Sequence, residues 1–144
     1  IAFLEDQVKD AKEKGAKVLL GGKKINEIFF EPTVLVNVNH KMKLMNEESF
    51  GPIIGIQTVA NDEEALQLMQ DTLYGLTASV FSRDTVRAYK ILEQIEVGTA
   101  YVNCCDRVSP YLPWSGRKQS GLGSTLSYLG ILAFVQSKSF QIRC

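Results

Sequence analysis

Apolar residues at Ile1, Leu4, Val8 and Ala11 keep the spacing of one helix face from the first residue onward, with no Ser, Thr, Asp or Asn ahead of them to cap it. The pattern reads as a helix entered partway, and the 144 residues are therefore expected to be a piece of a longer protein. The helix should end near Gly15, where Lys12 and Lys14 complement the negative end of its dipole. Lys17 to Leu20 then reads as a short buried strand stopped by Gly21-Gly22. Pro32 to Val36 and Ile53 to Val59 are rich in β-branched residues and read as two more strands, separated by a polar, Met-containing loop.

Asn61 is placed to cap a second helix, with Glu64 three residues on as in a capping box and Asp62, Glu63 and Glu64 favouring the positive end. Its buried face would be Ala65, Leu66, Met69 and Leu73. Gly75 permits a turn into a strand from Thr77 to Phe81. Asp84 then caps a third helix whose Ala88, Ile91, Leu92 and Ile95 share a stripe and which Gly98 closes, ahead of a strand from Thr99 to Asn103. Strands alternating with helices in this order predict an α/β fold, a doubly wound and mostly parallel sheet with flanking helices. After Asn103 the pattern dissolves into a long loop holding Pro110, Pro113, Gly116, Gly121 and Gly123. Phe134 to Ile142 alternates weakly and is polar on both sides, which suits an edge strand. The expected division is thus a body of residues 1–133 and a terminal strand segment of residues 134–144.

Composition adds exclusions. A hydrophobic fraction of 45% and a charged fraction of 22% exclude a disordered or low-complexity chain. Sixteen basic and sixteen acidic side chains give a formal net charge of zero, without the basic excess of a nucleic-acid binder. The apolar run from Tyr128 to Val135 is far short of the roughly 20 residues a membrane span needs. Three cysteines, two of them the neighbours Cys104 and Cys105, do not make a disulfide framework, which points to a reducing compartment, the cytoplasm. With His40 as the only histidine, no spacing fits a structural zinc site, so no metal is expected.

In Glu47-Glu48-Ser49-Phe50-Gly51-Pro52, extended backbone points Glu48 and Phe50 the same way and Glu47 oppositely, so the two carboxylates do not face each other as an acid and base pair. A carboxylate accepts two hydrogen bonds from a ribose diol, and a ring two residues on could lie against the attached heterocycle. These six residues alone nevertheless favour a solvated glutamate pair before a turn. Ser115-Gly116-Arg117-Lys118 satisfies the S-x-x-K pattern of penicillin-recognising serine enzymes without their S-D-N and K-T-G partners, so a serine hydrolase using Ser115 is the weakest reading. Gly121-Leu122-Gly123 lacks the third glycine of a dinucleotide fingerprint, and His40 is most simply a loop residue. Trp114 and Tyr111 place two rings in a Pro-bounded loop where their faces could hold a cation, although the residues alone favour rings packed under the loop.

Taken in order, Phe30-Glu31-Pro32-Thr33-Val34-Leu35, Glu47 to Pro52, Asp71-Thr72-Leu73-Tyr74-Gly75-Leu76, Val102-Asn103 and Pro113 to Gly123 resemble the C-terminal part of an aldehyde dehydrogenase, nearly throughout the chain. The resemblance implies oxidation of an aldehyde to a carboxylic acid, with hydride passing to NAD or NADP through a covalent thiohemiacetal. It implies that the nucleophilic Cys, the general-base Glu and the adenine-binding segment lie upstream, so that this chain holds no catalytic residue and is inactive alone. It assigns Glu48 to the nicotinamide ribose, Phe50 to the ring beside the nicotinamide, and Trp114, with Tyr111, to the aldehyde tunnel. The Pro113-Trp114 pair is similar to the betaine-aldehyde and aminoaldehyde branch, where aromatic faces cage an ammonium group. Cys104 and Cys105 match the lining of the substrate-access loop, and Phe140 with its neighbours matches a strand that joins another subunit, which implies a homo-oligomer. Pro-Trp-Ser-Gly stands where the family usually has Pro-Phe-Gly-Gly, and Thr125 where it usually has Glu, so an altered tunnel and a weaker loop anchor are expected. The alternative from another class is a non-catalytic truncated chain serving as a subunit-interaction module.

Overall fold

In the computed structural model, which describes residues 1–105 and 107–143, the chain resolves into two compact units, residues 1–72 and 73–144. The first unit opens with helix α1 (Ala2–Glu13), which buries Leu4, Gln7, Val8 and Ala11 on one face. Gly15, at φ +99°, ends it in the left-handed conformation that glycine adopts without strain. Ala16 N donates to Ala11 O at 2.9 Å and Gly15 N to Lys12 O at 3.1 Å, the paired bonds of a Schellman motif.

Strands β1 (Lys17–Leu20), β2 (Thr33–Val36) and β3 (Ile53–Ile56) form a three-stranded sheet in that order. β1 runs antiparallel to β2, with an irregular register between Val18 and Leu20, and β2 runs parallel to β3. The crossover between β2 and β3 carries a short helix α2 (Lys43–Asn46), where the sequence reads only as a loop. Met42 and Leu44 from this crossover join Leu4, Val8, Ala11, Phe30, Leu35 and Val38 in the buried core. The pairing puts Leu20, Val34 and Ile54 side by side on the opposite face, with Val36 and Ile56 next along it. Leu20, Ile54 and Ile56 are exposed there.

Charges tie α1 to α2. Asp10 pairs with Lys14 at 2.7 Å and accepts a hydrogen bond from Lys43 N at 2.9 Å. The Lys14 ammonium first, and then the Lys43 amide, hold the Asp10 carboxyl below its ordinary value of 3.8. The Asp6 carboxylate beside Lys43 in turn holds that ammonium above the usual lysine value. Helix α3 (Asp62–Gln70) closes the unit. Its cap is as expected, Asn61 Oδ1 accepting from Glu64 N at 2.8 Å, while the Glu64 carboxylate reaches back to Ala60 N at 2.7 Å. Its apolar face is less covered than the pattern implies: Ala65, Leu66 and Met69 are half-buried and Leu73 is exposed.

The second unit holds β4 (Tyr74–Gly75), β5 (Thr77–Val80), helix α4 (Thr85–Leu92), β6 (Thr99–Val102), β7 (Arg117–Lys118) and helix α5 (Ser127–Leu132). β5 and β6 pair in parallel around α4, a β-α-β step, and β4 pairs antiparallel with β7. Asp84 caps α4 through its Oδ1, which accepts from Arg87 N at 2.9 Å, and of the expected stripe Ala88, Leu92 and Ile95 are buried and Ile91 half-buried. The α/β class is borne out. Among the described residues, however, the strands pair as three small sheets with two parallel and two antiparallel pairings, rather than as one mostly parallel sheet.

Two glycines act differently from the sequence reading. Gly75 lies in β4, where a Cβ would fall 2.3 Å from Glu96 O, and a Cβ on Gly98 would fall 1.5 Å from Ser115 O. Both are required by close backbone approach. The final segment also departs from expectation: residues 135–143 form no strand, are exposed, and pair with none of the strands among the described residues.

Candidate functional site

The Glu47–Pro52 segment leaves α2 in extended conformation, with Glu47 at φ −97° and ψ 153°. Ser49 is half-buried and its hydroxyl donates to Oε1 of Gln7, a fully buried residue of α1, at 2.9 Å. Glu48 and Phe50 flank this anchor and are both exposed, Phe50 at 91%. A carboxylate and a ring thus stand free for a ligand on a segment fixed from below.

In the second unit the long loop is closed at its neck. Trp114 N donates to Thr125 O at 2.8 Å, Thr125 N to Trp114 O at 2.9 Å, and Ser127 N to Pro110 O at 2.9 Å. Thr125 therefore anchors the loop through its backbone. Trp114 is half-buried and Tyr111 is 87% exposed, so the two candidate rings share the neck but differ in cover. The tip is held separately: Ser120 Oγ accepts from Gly75 N at 2.9 Å and Gln119 N donates to Leu73 O at 2.9 Å. A cavity of about 560 Å³ opens within this loop, bounded by Gly98, Pro113, Ser115, Ser124 and Leu129.

His40 lies in a turn, as a loop residue should, and the geometry adds partners. Its Nδ1 lies 2.8 Å from Asp71 Oδ2, and its carbonyl accepts from the Asn46 amide, so it links the start of the α2 crossover to the end of α3. Among the described residues no cluster of three or more His, Cys, Asp or Glu side chains could hold a metal, and no helix is long and apolar enough to cross a membrane.

Residues 1–140 match the aldehyde dehydrogenase family. The chain belongs to that family. Betaine aldehyde dehydrogenase of Bacillus subtilis (strain 168) is 34% identical over 143 residues, covering 95% of this chain and 29% of its own length. Succinate-semialdehyde dehydrogenase [NADP(+)] of Deinococcus radiodurans is 38% identical over 137 residues, covering 94% of this chain and 29% of its own. The crystal structure of betaine aldehyde dehydrogenase from Staphylococcus aureus in complex with NAD+ superposes with a TM-score of 0.87 at 32% identity, over 96% of this chain and 29% of that one. This aldehyde dehydrogenase chain thus spans less than a third of the length of these relatives.

Two residues of this aldehyde dehydrogenase chain escape a pattern reading. Gln7 is a polar residue on the buried stripe of α1, and that misplaced polarity is the signal that it bonds something. Asn103 sits at φ +54° just after β6, a conformation asparagine tolerates better than most residues, and its side chain bonds both backbone groups of Ser82.

Proposed function

We propose that this chain works as part of a longer NAD- or NADP-dependent aldehyde dehydrogenase, with Glu48 and Phe50 on the nicotinamide side of the cofactor and Trp114 with Tyr111 lining the aldehyde tunnel. The observation that carries the reading is the Ser49–Gln7 anchor, which leaves a carboxylate and a ring exposed two residues apart on fixed backbone. Their chemistry fits the group: a carboxylate takes both hydroxyls of a ribose, and a ring offers a flat face to a heterocycle. When bound, the dinucleotide supplies the hydride acceptor. Glu48 orients the ribose, Phe50 covers one side of the ring and excludes water, and nucleophile and base come from elsewhere in the enzyme. The S. aureus relative solved with NAD+ and the betaine aldehyde dehydrogenases among the relatives support a cationic aldehyde as substrate. The free thiols of Cys104 and Cys105 fit a reducing compartment, the cytoplasm.

Glu48→Gln in the full-length enzyme tests the reading. The change keeps shape and removes charge, and should cost about 1.5–3 kcal/mol in productive cofactor placement with the fold intact. Unchanged cofactor affinity together with an unchanged hydride-transfer rate rejects the assignment. The 144-residue chain alone, with NAD and a panel of aldehydes, should produce no reduced cofactor above a heat-killed control. A second reading, a subunit-interaction module, draws on the exposed Phe134, Phe140 and Ile142 in a backbone stretch paired to no strand of the described chain.

A further inference from the structure

Cys104 and Cys105 are consecutive free thiols, the first half-buried and the second exposed. They occupy a short bend that is tied down on both sides. At its root Asn103 N donates to Val80 O at 3.0 Å, and the Asn103 side chain accepts from Ser82 N at 2.8 Å and donates to Ser82 O at 2.9 Å. On its far side the hydroxyl of buried Tyr101 donates to Arg107 O at 3.3 Å. We propose that the Cys104–Cys105 pair is a reversible redox modification site, closed by hydroperoxides into a disulfide between the two neighbours and reopened by small thiols. The inference is independent of the aldehyde-tunnel reading, because it uses only these two thiols and the bend that holds them.

The exposed residue meets the oxidant and its chain neighbour supplies the resolving thiol. The Cys105 thiolate attacks the O–O bond of a hydroperoxide, forming the S–O bond of a sulfenic acid and releasing the alcohol, or water from hydrogen peroxide, once a proton is taken up. The Cys104 sulfur then attacks Sγ of Cys105, the S–S bond forms, and the S–O bond breaks with departure of water. The pair loses two electrons and two protons, and the hydroperoxide is reduced.

Reversibility follows from spacing. Consecutive Cα atoms are about 3.8 Å apart, whereas ordinary disulfides join Cα atoms roughly 4.4–6.8 Å apart, so a bond between neighbours is strained. Strain raises the reduction potential and makes the bond labile to thiols.

The test uses the reduced chain carrying Cys144→Ser, which leaves the pair as its only thiols. One equivalent of hydrogen peroxide should remove the mass of two hydrogen atoms from the tryptic peptide spanning Ile91 to Arg107, without cross-linking chains, and a modest excess of glutathione should restore it. Adding Cys104→Ser should stop the reaction at a sulfenic acid on Cys105 that dimedone traps. Cross-linked chains, oxidation of each sulfur separately to sulfinic acid, or a closed pair that resists glutathione would each overturn the proposal.

Discussion

Ser49 and Gln7 meet through a single hydrogen bond of 2.9 Å that joins the extended segment after α2 to the buried face of α1. Among the described residues, Ser49→Ala removes the hydrogen-bond partner of the Gln7 amide oxygen, and the Gln7 Nε2 is already buried without one. The expected cost is about 1–3 kcal/mol, read as a lower denaturant midpoint at unchanged slope. Faster cleavage after Glu48 by a glutamate-specific protease should accompany it, since the anchor also holds that peptide against the unit. An unchanged midpoint and cleavage rate would show that the segment is held by other contacts.

Asp10 contributes to the acid limb of stability. Its carboxyl is held below 3.8 in the folded chain by Lys14 and the Lys43 amide, so its contribution is complete above the unfolded value and drains as pH falls through the folded one. Asp10→Asn should therefore lower stability near pH 7 and flatten its decline below about pH 4. Lys43 works at the other end: its raised value gives stability that is complete below 10.5 and lost as pH rises above it. Urea midpoints across pH for the two proteins check both limbs.

Trp114→Ala in the full-length enzyme should reduce kcat/KM for betaine aldehyde more than for a neutral aldehyde of similar size. Loss of ring area penalises both substrates, whereas the cation–π contribution, roughly 0.5–2 kcal/mol, penalises only the cation. Equal losses would leave Trp114 as a plain wall and remove the support for a cationic substrate.

Deleting the residues after Val135 should lower the oligomeric state of the isolated chain, read by light scattering. Residues 136–143 are exposed, carry Phe140 and Ile142, and join no strand among the described residues, which leaves their backbone available to a neighbouring strand. A monomer before and after deletion removes the oligomerisation role.

What the sequence reveals is local chemistry. The Asn61 and Asp84 caps, the Gly15 terminus and most of the Ala88, Ile91, Leu92, Ile95 stripe, with Ile91 half-buried, follow from residues within a turn or two of each other. Partnerships across the chain are hidden: nothing near His40 announces Asp71, and nothing near Ser49 announces Gln7. Gly75 and Gly98 look like turn residues because only a folded chain brings Glu96 O and Ser115 O against them. The helix α5 is likewise obscured, entered through Leu126 and Ser127 at φ +60° and +52° without a side-chain cap. Alternation suggests a shared side for Glu48 and Phe50 and the residues alone a solvated glutamate pair, and Glu47 and Glu48 are both exposed, whereas the Ser49 anchor is not legible.

The apolar side of the three-stranded sheet gives the isolated chain an inverted response to heat. Leu20, Ile54 and Ile56 present hydrocarbon to water there, and the attraction between such surfaces is driven by solvent entropy near room temperature and weakens on cooling. Clouding of a concentrated sample should therefore set in on mild warming, well below unfolding, and clear again in the cold, with heat absorbed as the particles form.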